Sequence, residues 1–141
     1  QFTAGEGPET IDTPAGRVGL ALCYDLNFPE LALEYAEADC DLIAVSAAWR
    51  QSFERDWRLL CRARALDQTC YVVGSNHLGS QGARQHAGES LIAGPRGDII
   101  AKTTDGMATV TTAVNRAALE TAREKNPVRH SRRRHRSSSE R

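Results

Sequence analysis

The chain has 141 residues, 40% hydrophobic and 26% charged, with a formal net charge of zero, which suits one soluble domain with a sizeable core. No apolar run approaches the roughly 20 residues that a membrane-spanning helix needs, and the opening QFTAGEGPET has neither the basic start nor the apolar core of a secretory signal. The neutral total hides an asymmetry. Residues 128–141, VRHSRRRHRSSSER, hold six arginines and one acid, so the body before them is near −5.

In chain order, Gly16 to Cys23 (GRVGLALC) reads as a short buried strand. Pro29 then sits in the first turn of a helix, and Leu31, Leu33, Tyr35 and Ala36 carry its face to about Asp39. DLIAVSA, 41–47, is a second continuous apolar run and so a second buried strand. From 53 to 67 the spacing of Trp57, Leu60, Cys61 and Ala65 predicts a helix. CYVVGS, 70–75, is a third strand, followed by a Gly- and Gln-rich loop over 78–88. Strands are expected at 89–93, 98–102 and 107–114, separated by turns at Gly94-Pro95-Arg96-Gly97 and Asp105-Gly106. Asn115 is the expected N-cap of a helix over 116–125. The alternation of the first half points to a layered α/β protein, and the late strands to a mixed sheet. From Arg129 onward the composition is low-complexity, and disorder is the expectation.

The four cysteines, at 23, 40, 61 and 70, form no CxxC pair and no zinc-type spacing. No metal or organic cofactor is expected, and reduced thiols in a cytoplasmic setting are the reading. Cys40, Cys61 and Cys70 fall at a helix–strand junction, on an apolar helix face and at a strand start. All three suit small buried hydrophobes. Cys23 admits two readings. It too can be a small hydrophobe, or it can be a nucleophile. Ligands gather beyond the C-terminal ends of strands in layered α/β proteins, and the start of a following helix stabilises a thiolate and a developing oxyanion.

The stretch GRVGLALCYDLNFPELALEYAEADCDLIAVSAAW resembles the nucleophile region of the carbon–nitrogen hydrolase (nitrilase/amidase) superfamily. WRLLCRARALDQTCYVVGSN and GESLIAGPRGDIIA continue the resemblance, which covers about residues 2 to 128. It implies an α/β fold, the four-layer αββα sandwich of that superfamily, with 1–128 as a partial hydrolase domain and 129–141 as an Arg/Ser-rich tail. It implies hydrolysis of a small-molecule amide, carbamoyl group or nitrile through a thioester on Cys23, with the Tyr24 backbone N–H as an oxyanion donor. Trp49 and Asn76 are then candidate pocket residues, with ordinary strand-end packing and turn chemistry as the competing readings. Asp25, Glu30 and Arg64 are read as structural, a carboxylate–guanidinium pair locking the nucleophile turn to the neighbouring helix. Asn27 stands where many members carry arginine.

The superfamily also uses a Glu base and a Lys, both well before the nucleophile strand. Only 22 residues precede Cys23 and none is lysine; Glu6 and Glu9 are placed in a loop, and Lys102 and Lys125 come late. The expectation is the C-terminal half of a longer hydrolase, near-inactive alone and a homo-oligomer when complete. A non-catalytic remnant or interaction module with the same fold is the alternative. His77 and His86 have no evident pairing with Cys23. The basic tail carries no interleaved aromatics and no nucleic-acid fold motif accompanies it, so nucleic acid is not an expected partner; nor, without a long apolar run, is a membrane.

Overall fold

The computed structural model describes residues 3, 5, 7–103, 106 and 108–139, with side chains described through 133. Glu6 and Met107 therefore lie outside the described residues. Strands β1 (Glu9–Thr13), β2 (Gly16–Leu22), β3 (Leu42–Ala47), β4 (Tyr71–Asn76), β7 (Leu91–Ala93) and β8 (Ile99–Lys102) form one six-stranded sheet in the order β1-β2-β3-β4-β7-β8. Its centre, β2 to β4, is parallel, while β1, β7 and β8 join antiparallel. Helix α1 (Pro29–Glu37) connects β2 to β3, and α2 (Glu54–Gln68) connects β3 to β4. This is the α/β architecture that the strand–helix alternation predicts, with a mixed sheet.

Both crossover helices press on one face of the sheet. Tyr35 of α1, and Trp57, Cys61 and Ala65 of α2, are buried against Ile43, Val45, Val72, Leu91 and Ala93. Two glycines admit the rings: a Cβ on Gly19 would sit 2.5 Å from the Tyr35 ring, and one on Gly74 2.5 Å from Trp57. The indole of Trp57 donates to the Glu89 carbonyl at 2.9 Å, and the Tyr35 hydroxyl to the Leu20 carbonyl, so both buried polar atoms are satisfied. On the opposite face the register sets Leu20 beside Ala44 and Leu22 beside Ser46, and Leu20 and Leu22 are exposed. Among the described residues no helix is long and apolar enough to cross a membrane.

The structure departs from the sequence expectations in four places. Glu9 is not in a loop but begins β1, whose ladder with β2 the hairpin at Thr13–Gly16 closes. The segment read as a loop over 78–88 is a hairpin, β5 (Leu78–Gln81) and β6 (Arg84–Ala87), paired as a separate two-stranded sheet. Its Gly and Gln content hid it, because strand formation there rests on ladder pairing and not on propensity. Conversely, 108–114 is rich in β-branched residues but forms no strand; it lies exposed except at the half-buried Val110 and finds no ladder among the described residues. The segment expected to be disordered winds into α4 (Val128–Ser139) after α3 (Arg116–Lys125), which Asn115 caps as expected, its Oδ1 accepting from the Ala118 N–H at 3.1 Å.

The arginines of α3 and α4 give that tail an occupation. Arg129 donates to the carbonyls of Gln68 (2.6 Å) and Cys40 (2.8 Å), and Arg123 to those of Cys40 (2.9 Å) and Thr69 (3.3 Å). These carbonyls end α2 or follow α1, where cations offset the negative helix terminus. Asp41, at the start of β3, accepts from Arg123 (2.9 Å), Arg116 (3.2 Å) and the Arg17 N–H (3.2 Å). All of this occurs at the end of the sheet away from Cys23.

Candidate active site

Cys23 follows the last residue of β2 and opens a short 3-10 turn, Cys23–Asn27, before Phe28 leads into α1. Its φ is +49°, a left-handed conformation that costs a non-glycine residue about 1 kcal/mol. The turn is closed by Asp25, whose Oδ2 accepts the Leu22 N–H at 2.8 Å, and by Asn27, whose Nδ2 donates to the Tyr24 carbonyl at 3.1 Å. Tyr24 is largely exposed and meets Phe28 edge-on. It lies in the first turn, where a helical N–H has no acceptor within the helix.

The lock on this turn differs from the expected carboxylate–guanidinium pair. Arg64, buried on α2, donates from Nε to the Leu26 carbonyl (3.2 Å) and from Nη2 to the Asn27 carbonyl (3.4 Å). Its carboxylate partner is Asp67, at 3.4 Å, not Asp25 or Glu30. Asp25 is committed to the backbone N–H of Leu22, and Glu30 is exposed in the first turn of α1. The physical reason is reach: a buried guanidinium satisfies bare carbonyls at the end of the 3-10 turn that nothing else caps.

Trp49 and Asn76 are brought to Cys23 together. The Trp49 indole N–H donates to the Cys23 carbonyl at 3.3 Å, and the Trp49 main-chain N–H donates to Asn76 Oδ1 at 2.8 Å. Asn76, buried at the end of β4, also donates from Nδ2 to the Gly88 carbonyl at 2.6 Å, while its own N–H donates to Ser90 Oγ at 3.0 Å. The ends of β2, β3 and β4 and the β5–β6 hairpin are thus joined in one chain of bonds through these two side chains. His77 and His86 contact each other edge-on at 4.7 Å, and His86 Nδ1 bonds to the Ala48 carbonyl at 3.1 Å.

Cys23 lines two clefts. One, of about 660 Å³, runs past Trp49, Arg50, Phe53, Asp56 and Leu59. The other, of about 710 Å³, runs past Leu22, Ser46, Ala48, His77 and Ser80 on the open face of the sheet. Cys23 is half-buried, whereas Cys40, Cys61 and Cys70 are fully enclosed. Burial pushes the Cys61 and Cys70 thiols up to about 12 and raises Cys40, so these three are held neutral, as the sequence reading expects of packed thiols. Glu89 and Lys102 pair with each other at 2.9 Å and, with Arg58, line a different surface depression. Arg50 and Asp56 were not singled out in the sequence; the signal for Arg50 is its place immediately beyond β3, next to Trp49.

A cysteine delivered in a left-handed turn to the C-terminal edge of the parallel centre of a mixed α/β sheet defines a class of layered proteins with a strand-end thiol. The chain belongs to the carbon–nitrogen hydrolase family, whose profile, described as Carbon-nitrogen hydrolase, matches residues 1–124. It is 36% identical over 134 residues to the chloroplastic omega-amidase of Arabidopsis thaliana, covering 94% of this chain and 36% of that protein. It is 34% identical over 120 residues to the deaminated glutathione amidase of Mus musculus, covering 84% and 37%. Among solved structures it is similar to Saccharomyces cerevisiae Nit3, a member of branch 10 of the nitrilase superfamily (TM-score 0.83, 30% identity, 90% of this chain and 48% of that one). It is likewise similar to XC1258 from Xanthomonas campestris, a CN-hydrolase superfamily protein (TM-score 0.85, 28% identity, 93% and 52%). The chain thus spans little more than a third of these curated relatives and about half of these structures.

Proposed function

We propose that this chain carries the nucleophile of an amide-directed carbon–nitrogen hydrolase. The Cys23 thiolate adds to the carbonyl carbon of a small amide, and the resulting oxyanion is held by the Tyr24 N–H. Collapse expels ammonia or an amine, which takes up a proton, and leaves a thioester on Cys23. Water then adds to the thioester, loses its proton to a general base and releases the acid with the thiol restored. The observation that carries this reading is the contrast among the four cysteines: three are enclosed in the core, and Cys23 alone among them lines clefts, in a strained turn at a strand end.

The base and lysine that the superfamily resemblance implies have no counterpart beside Cys23 among the described residues. Among the described residues, neither cleft is lined by glutamate or lysine. Glu89 and Lys102 are engaged with each other. We therefore assign these two roles to sequence beyond the 141 residues, which also supplies the second half of the αββα sandwich. The complete enzyme is a homo-oligomer of a reducing, cytoplasmic compartment, consistent with four free thiols. General-base help in deacylation is worth roughly 10²- to 10⁴-fold, so the chain alone acylates but barely turns over.

An activated ester such as p-nitrophenyl acetate tests this. Acylation confined to Cys23, seen as one acetyl mass adduct that decays slowly and is missing in Cys23→Ala, is the expected result. Labelling elsewhere, or none, would remove the nucleophile assignment and favour a non-catalytic interaction module with the same fold.

A further inference from the structure

The cleft that runs from Cys23 along the start of α2 contains two charges of opposite sign, Arg50 and Asp56. Both side chains are exposed. Neither is hydrogen-bonded or ion-paired to the other or to any described residue. Elsewhere on α2, Arg58 pairs with Glu54 and Glu89 and Arg64 with Asp67, while Arg55 is exposed and, like Arg50 and Asp56, has no ion pair among the described residues. The same cleft is also lined by aromatic and aliphatic side chains, among them Trp49, Phe53 and Leu59. Both charges are exposed, so each contact with a ligand charge is a solvent-screened ion pair that low ionic strength strengthens.

A neutral amide leaves both charges without a counterion. An anionic amide meets Arg50 but is opposed by Asp56, and a cationic one meets the reverse. Only a compound carrying both signs matches both residues. We propose that this cleft selects amides whose chain bears a carboxylate and an ammonium group together, Arg50 reading the carboxylate and Asp56 the ammonium. This rests on the reading of Cys23 as the nucleophile.

Four primary amides of the same chain length separate the possibilities: pentanamide, 5-aminopentanamide, glutaramic acid and glutamine carry no charge, an ammonium, a carboxylate, and both. Each is titrated at low ionic strength for its ability to slow alkylation of Cys23 by iodoacetamide, read by peptide mass spectrometry. Glutamine is expected to half-protect at a concentration about five-fold below pentanamide, the size of two exposed ion pairs. Arg50→Gln should remove its advantage over 5-aminopentanamide, and Asp56→Asn its advantage over glutaramic acid. Both side chains are exposed, so neither substitution opens the core.

Equal protection by all four amides overturns the proposal, as does a glutamine advantage that neither variant alters. Glutaramic acid protecting better than glutamine overturns it as well, because the carboxylate alone is then being read. If iodoacetamide fails to label Cys23 even without amide, the nucleophile reading itself falls, and this proposal with it.

Discussion

Trp49 donates its indole N–H to the main-chain carbonyl of Cys23 at 3.3 Å, tying the residue beyond β3 to the residue beyond β2. The bond sets the pitch of the turn that presents the thiol, and it anchors a wall of the cleft that the thiol lines. Trp49→Phe keeps most of the apolar contact with Phe53 and Trp57 but removes the donor. The expected cost is about 1 kcal/mol of stability, together with a several-fold fall in the Cys23 alkylation rate. Chemical denaturation and peptide-resolved alkylation read the two effects separately. An unchanged alkylation rate would show that the indole only packs.

Arg64 is the second restraint on the same turn. Replacing it with methionine leaves the buried Leu26 carbonyl without its donor and should destabilise the protein by about 2 kcal/mol. Arg64→Lys should recover little of this, because one ammonium cannot reproduce the planar fork that reaches Leu26 and Asn27 together. Full rescue by lysine in a denaturant titration would mean that charge opposite Asp67, not carbonyl capping, is what matters there.

The left-handed backbone at Cys23 makes a prediction of opposite sign. Cys23→Gly removes the strain, and Cys23→Ala retains it. The glycine variant should therefore be more stable than the alanine variant by about 1 kcal/mol, while both lose alkylation at this position. Equal midpoints would show that the turn relaxes when the thiol is removed.

The enclosed thiols set an alkaline limit. Burial raises Cys61 and Cys70 from 9.0 to about 12 in the folded protein. The unfolded chain therefore sheds these protons first as pH rises. Their contribution to stability is complete below about 9 and is lost progressively as pH climbs toward 12. Melting temperatures should be insensitive to these groups at pH 7–8 and fall steadily above pH 9. Cys61→Ala should flatten that fall even though its cavity lowers the melting temperature at neutral pH. A slope unchanged by the substitution would assign the alkaline loss to other groups.

Most of the central sheet and the position of Cys23 could be read from the chain because the governing signals are local. Continuous apolar runs of strand length mark β2, β3 and β4, Pro29 marks the start of α1, and the Trp57–Cys61–Ala65 spacing marks the buried face of α2. What was not legible depended on partners distant in sequence. β5 and β6 exist because Leu78–Gln81 and Arg84–Ala87 pair with each other, and residues 108–114 lack any such pairing among the described residues despite their composition. The arginines of α4 looked like a solvated tail because the carbonyls that Arg129 reaches, at Cys40 and Gln68, are far upstream. The same holds at the site. Trp49 and Asn76 were readable as strand-end candidates, but that one holds the other, and that Trp49 reaches Cys23, is a relation between three strand ends.

Gly19 and Gly74 carry a consequence for where the thiol lies. β2 and β4 both carry apolar residues on either face, so hydrophobicity alone would tolerate a one-residue slip, which in a sheet exchanges every inward side chain for its outward neighbour. The rings of Tyr35 and Trp57 prevent it. Each ring needs a strand position with no Cβ, and a slip would bring Val18 or Leu20, or Val73 or Ser75, against a ring that leaves room for hydrogen alone. The two glycines thus act as notches in a ratchet: they count residues along the strands, and that count is what stops β2 at Leu22 with Cys23 next in line.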